Sequence, residues 1–193
     1  MPVNTLYFAT GNKEKLLLAQ TVCAKFGIKV EQAVIEIDEI QGENPMVIVE
    51  DKVRRAYGGL SKPVAVSDDS WDIPALRGFP GPYMKSINKW FRPEDFIRLM
   101  NGVNNRAVIL HQYLAYYDGV NLSIFKNDIE GIITDKPRGE NEQTPCMTVT
   151  VLNGDNGQTM AEVYEQGKEA VERRYLQSSD VWHKFVKQYV GKR

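Results

Sequence analysis

Cysteine and histidine are scarce in this 193-residue chain, which holds only Cys23, Cys146, His111 and His183 of these two types. Two widely separated cysteines make neither a disulfide framework nor a cysteine-based zinc site, and their usage suits a reduced compartment. No apolar run approaches the ~20 residues of a membrane span, and no charged-then-apolar leader opens the chain. A soluble cytoplasmic protein with no membrane association is therefore expected. The formal net charge is −1, with both signs spread along the sequence, so there is no basic surface for a nucleic-acid polymer. Internal repeats and low-complexity linkers are also absent, and the length suits one α/β domain with a sizeable core.

What is present begins at Leu6–Lys15, where a short apolar strand runs through Thr10-Gly11-Asn12 into a helix opened by charged residues. Gly11 allows a close backbone approach, Asn12 can cap the helix, and the free N–H groups at the helix start favour an anion. Lys13 and Lys15 add positive charge there. The same pattern also describes an ordinary strand-to-helix connection. Leu16, Ala19, Cys23 and Phe26 then recur at helical spacing up to Gly27.

Val34–Ile40 alternates apolar with acidic residues, which predicts a strand. Asn44-Pro45 predicts the cap and first turn of a second helix, striped by Met46, Val49, Val53 and Ala56. Pro63–Val66 reads as a buried strand that stops at Ser67-Asp68-Asp69-Ser70, and an aromatic helix is expected around Trp90, Phe91 and Phe96. Asp118-Gly119 joins Arg106–Tyr117 to Val120–Phe125 as a hairpin. Further strands are expected at Glu130–Thr134 and Met147–Leu152, then helices at Ala161–Leu176 and Asp180–Val190. Strand–helix alternation plus a long hairpin predicts a mixed sheet flanked by helices.

Asp68 and Asp69 fall at the carboxyl end of the expected buried strand, where open α/β sheets place their ligands. If the chain turns there, both carboxylates reach one metal ion, or one metal and one water; a solvated turn would use the same residues. Glu43 can supply a third oxygen, and such hard ligands suit Mg²⁺. Lys52 and Lys85, with Lys13 and Lys15, can surround a polyphosphate, although a lone lysine is ordinarily just solvated. His111 lies among strand residues and reads as structural. No Ser, Cys or Thr nucleophile has a partner histidine, so attack by a metal-assisted water is the simpler chemistry.

Five motifs, Thr10–Lys15, Ile40–Glu43, Ser67–Ser70, Leu76–Lys85 and Pro137–Glu140, occur in the order seen in the inosine/xanthosine triphosphate pyrophosphatases, which this chain resembles from about Leu6 to Glu140. The resemblance implies an elongated mixed sheet with two helical lobes and a nucleotide cleft between them, a single two-lobed domain over residues 1–193, and a homodimer. It also implies Mg²⁺-dependent cleavage of aberrant purine nucleoside triphosphates to monophosphate and pyrophosphate.

By position, Thr10, Gly11, Asn12, Lys13, Lys15, Lys52, Ser70, Lys85, Lys168 and Arg174 would bind substrate. Glu43, Asp68 and Asp69 would organise metal and water, with Asp69 as the general base. The stretch from Glu43 to Lys52 differs in length from that of some relatives, which leaves Glu39 or Glu50 as alternatives to Glu43. The family's aromatic–Gly–aromatic–Asp–Pro segment is replaced here by Glu142–Met147, and its Ser-His-Arg by Glu172-Arg173-Arg174. An altered or relaxed base preference is expected. Cleavage of another nucleotide phosphoanhydride and nucleotide binding without turnover are the alternatives.

Overall fold

The computed structural model describes residues 4–177 and 179–191. Its first half runs β1 (Asn4–Ala9), α1 (Lys13–Ala24), β2 (Ile28–Ala33), α2 (Pro45–Leu60), β3 (Val64–Ile73), β4 (Phe79–Gly81), α3 (Met84–Trp90) and α4 (Pro93–Leu99). The second runs β5 (Ala107–Tyr117), β6 (Leu122–Ile133), β7 (Thr150–Leu152), α5 (Met160–Glu165), α6 (Lys168–Gln177) and α7 (Asp180–Gly191). The strands form one mixed sheet in the order β2-β1-β3-β5-β6-β7, with β4 added to β3. This is the α/β class expected from the alternation of elements.

Two compact units divide the chain. The first takes the described residues up to Asp68, then Gln112–Asn127, then the described residues from Tyr175 onward. In it β1 pairs in parallel with both β2 and β3. A strand flanked by parallel partners is covered on both faces, and Leu6, Phe8 and Ala9 of β1 are buried accordingly. One face packs Leu6, Phe8, Val22, Trp182 and Phe185, drawing α1 and α7 onto the sheet. Phe8 meets Trp182 edge-to-face at 5.0 Å. The other face packs Ala9, Val49, Val53, Val64 and Val66, which seats α2.

The second unit, Asp69–His111 with Asp128–Arg174, has its own core of Trp71, Ile73, Phe96, Met100, Leu110, Ile133, Val149 and Met160. Here β4 and β7 pair antiparallel with β3 and β6.

Several element boundaries differ from expectation. The strand expected at Val34–Ile40 is instead β2, because β1 ends at Ala9, opposite Ala33, and no ladder partner continues; Val34 is 89% exposed. In α1 the buried stripe is Leu18, Ala19, Val22 and Cys23, with Phe26 exposed. The expected aromatic helix is two helices, since Pro93 opens α4 and Phe91 caps α3. The hairpin is correct, but its second strand continues through Glu130 to Ile133 as one β6. Met147 belongs to a 3-10 turn at Pro145–Thr148, which leaves β7 only three residues. Gly167, at φ +91°, separates α5 from α6 where one helix was expected.

Most consequentially, β3 does not stop before Ser67. It runs on to Ile73, so Asp68 and Asp69 are interior strand residues.

Candidate functional site

In the first unit, Ala9 pairs with Val66, so Thr10 follows the end of β1 beside Ser67, where the parallel pairing of β1 with β3 stops. That end is where such sheets place ligands. The Thr10–Lys15 turn is held by its own hydrogen bonds. The Gln32 side-chain amide donates to the Thr10 carbonyl at 2.8 Å, the Asn12 N–H to Thr10 Oγ1 at 3.1 Å, and the Lys15 N–H to Asn12 Oδ1 at 2.8 Å. Asn12 is thus the N-cap of α1, as its position predicted. The amides of Lys13 and Glu14 have no acceptor within the helix, which leaves a positive helix end beside the exposed Lys13 side chain. A Cβ at Gly11 would meet nothing within 4 Å, so the chain's own packing does not require glycine there.

Lys52, from the middle of α2, extends to the same strand end. Its Nζ lies 3.2 Å from the Ser67 carbonyl oxygen, 2.6 Å from Glu39 Oε1 and 3.9 Å from Asp68 Oδ1. Among the three glutamates left open by the sequence, Glu39 is the one gathered with Asp68. Glu43 is exposed just ahead of the Asn44 cap, and Glu50 pairs with Arg54 one helical turn along α2. Among the described residues no group of three or more His, Cys, Asp or Glu side chains is placed to hold a metal ion. Glu43, Asp68 and Asp69 are therefore not brought together as a cage. Asp68 and Asp69 are successive interior residues of β3 instead of residues of a turn.

In the second unit, Asp69 is half-buried and Ser70 is buried. Lys85 stands exposed in the first turn of α3, after a Gly78–Pro82 segment in which Gly78 and Gly81 have positive φ. Lys168 is exposed at the start of α6, 3.5 Å from Glu172. Arg174 differs sharply: its Nε lies 3.1 Å from both oxygens of Asp155, and the two side chains are 10% and 3% exposed. Its guanidinium is engaged in a buried ion pair. Nothing in the sequence spacing singled out Asp155 or Gln32. His111 has Nδ1 2.6 Å from Asp128 Oδ1 and Nε2 3.9 Å from Asp72 Oδ2.

Burial pushes both thiols, Cys23 and Cys146, up to about 12, which keeps them protonated and outside any nucleophilic role. The chemistry available is that of an anion-binding helix start with lysines, a lysine shared by two carboxylates, and a further carboxylate at Asp69.

Comparison with known proteins adds independent information. A model of the Ham1 family matches residues 6–179. A dITP/XTP pyrophosphatase of Methanopyrus kandleri is 34% identical over 134 residues, which cover 69% of this chain and 71% of that protein. An inosine triphosphate pyrophosphatase of Emericella nidulans is 28% identical over 90% of this chain and 92% of its own. Among solved structures, a HAM1 protein from Coxiella burnetii shares the fold, with a TM-score of 0.75 at 19% identity over 97% of this chain and 99% of that one.

Proposed function

The chain belongs to the Ham1 family, and from that premise we propose that it hydrolyses inosine- and xanthosine-type purine nucleoside triphosphates to the monophosphate and pyrophosphate. The observation that carries the reading is the Thr10–Lys15 helix start beside Glu39, Lys52 and Asp68, at the carboxyl ends of β1 and the parallel part of β3. Thr10, Gly11, Asn12, Lys13 and Lys15 bind the triphosphate through backbone amides and ammonium groups. The open space at Gly11 leaves close approach of phosphate as the reason for glycine there. For Ser70, Lys85 and Lys168, which belong to the second unit, substrate contact is proposed from the family resemblance.

A hard divalent ion fits the donor set, because Glu39 and Asp68 already converge on one cation, the Lys52 ammonium. Mg²⁺ needs few protein carboxylates and completes its shell with water and phosphate oxygens. When bound it would neutralise charge developing at the scissile phosphate. Glu39 replaces Glu43 in the proposed ligand set, and Asp69 keeps the role that the family resemblance implies, orienting and deprotonating the attacking water. Lysines on the triphosphate stabilise the charge spread over its oxygens in the transition state. A homodimer in the cytoplasm accompanies this reading as a family expectation.

Base preference is proposed to be altered or relaxed, because Arg174 is bound to Asp155 and the Glu142–Met147 stretch lacks aromatic residues. The test is a product-resolved panel with Mg²⁺, including ITP, XTP, dITP and modified pyrimidine triphosphates. Monophosphate and pyrophosphate in equal amounts are expected from at least one of them. Absence of pyrophosphate throughout sinks the reading. Two monophosphates from a dinucleotide, or a sugar phosphate from a sugar nucleotide, would move the enzyme to another phosphoanhydride.

A further inference from the structure

Lys52 has a more anionic setting than a phosphate contact requires. Its side chain is 14% exposed, with two carboxylates and a carbonyl oxygen directed at its ammonium. Three oxygens converging on one cation resemble the surroundings of a metal ion. The groups come from separate pieces of chain: Lys52 from α2, Asp68 from β3 and Glu39 from the irregular stretch between β2 and α2.

We infer that Lys52 is a resident counter-cation, whose ammonium neutralises Glu39 and Asp68 until a divalent ion takes those carboxylates and releases the lysine for the phosphates. The inference rests on the metal assignment proposed above. A divalent ion and an ammonium held by the same two carboxylates repel each other within a few ångströms, in surroundings less screening than water. Lysine is suited to leave, since its charge rides on a flexible four-carbon stem and its three donors accept any phosphate oxygen. Metal without phosphate strands the ammonium, and phosphate without metal must draw it from two carboxylates. Each ligand therefore lowers the cost of binding the other, which makes their association cooperative.

The test is titration of the 193-residue chain with Mn²⁺ in the absence of nucleotide, following free ion by electron paramagnetic resonance. Lys52→Met, which removes the competing charge, is expected to bind Mn²⁺ at least about tenfold more tightly than the unsubstituted chain. Lys52→Arg, which keeps the charge, should stay close to the unsubstituted chain, and Asp68→Asn should lose the site. Equal or weaker binding by Lys52→Met, with Asp68→Asn still defective, overturns the counter-cation role and leaves the metal assignment standing. Binding indifferent to Asp68→Asn removes both. A second measurement needs no variant: acylation of Lys52 in the unsubstituted chain, read by mass spectrometry, should speed up several-fold when Mn²⁺ is added. An unchanged rate counts against the inference even if Lys52→Met fails to fold.

Discussion

Glu39 and Glu43 lie on the same short stretch, yet only Glu39 reaches Lys52. Glu39→Gln is expected to lower metal-dependent turnover by at least roughly 10–100-fold, the loss that follows removal of even a group supporting a metal ligand. Glu43→Gln and Glu50→Gln should stay near the parent, and steady-state kinetics at saturating Mg²⁺ separates the three. Asp69→Asn should abolish turnover while calorimetry still detects nucleotide binding; preserved activity would reassign the base.

The cysteines give a prediction about pH. Folded, both titrate near 12, whereas an unfolded thiol ionises near ~8.5, so between these values the folded state holds protons that the unfolded state has lost. Stability should fall as pH rises through that window, seen as a lower urea midpoint at pH ~10 than at pH ~8. Native protein should also resist thiol reagents until denaturant is added.

At the scale of elements, caps were legible and strand ends were not. Asn12 and Asn44 cap their helices because a short side-chain acceptor beside a charged or proline-led first turn is a local signal. Asn44→Ala should cost about 1 kcal/mol in chemical denaturation, since only the Met46 N–H loses its partner. Where a strand stops is decided by its neighbour. Ala33 ends β2 because β1 ends beside it, and β3 passes the acidic Ser67–Ser70 stretch because β4 pairs with it farther on, from Trp71 to Ile73. β1 lies a whole helix away from β2 in sequence, whereas β4 follows β3 after a short turn that only the Gly- and Pro-rich stretch announces. That same continuation of β3 makes Asp68 and Asp69 interior strand residues where the sequence suggested a turn. Glu39 was legible only as one of three candidates, and choosing it required the position of α2.

For the molecule as a whole, ligand binding should register as stability. A nucleotide with Mg²⁺ at about 100 times its Kd adds about 2.7 kcal/mol, which for a chain this long raises Tm by roughly 5–10 °C. Thermal melts of Asp69→Asn with an accepted triphosphate should keep that rise, because the variant retains the phosphate-binding turn. Loss of the rise together with turnover would show that Asp69 is needed for binding.

Breaking the buried Arg174–Asp155 pair should register in stability. Asp155→Ala leaves an uncompensated guanidinium and should cost about 3–5 kcal/mol, while exposed Lys168→Ala should change stability by less than about 0.5 kcal/mol. Its consequence reaches to how this enzyme can diverge. With its guanidinium held by Asp155, Arg174 serves the fold, and under the proposed reading the choice of nucleobase passes to other side chains. A designer seeking a new substrate should leave that pair alone and vary the exposed chain around Glu142 and Gln143.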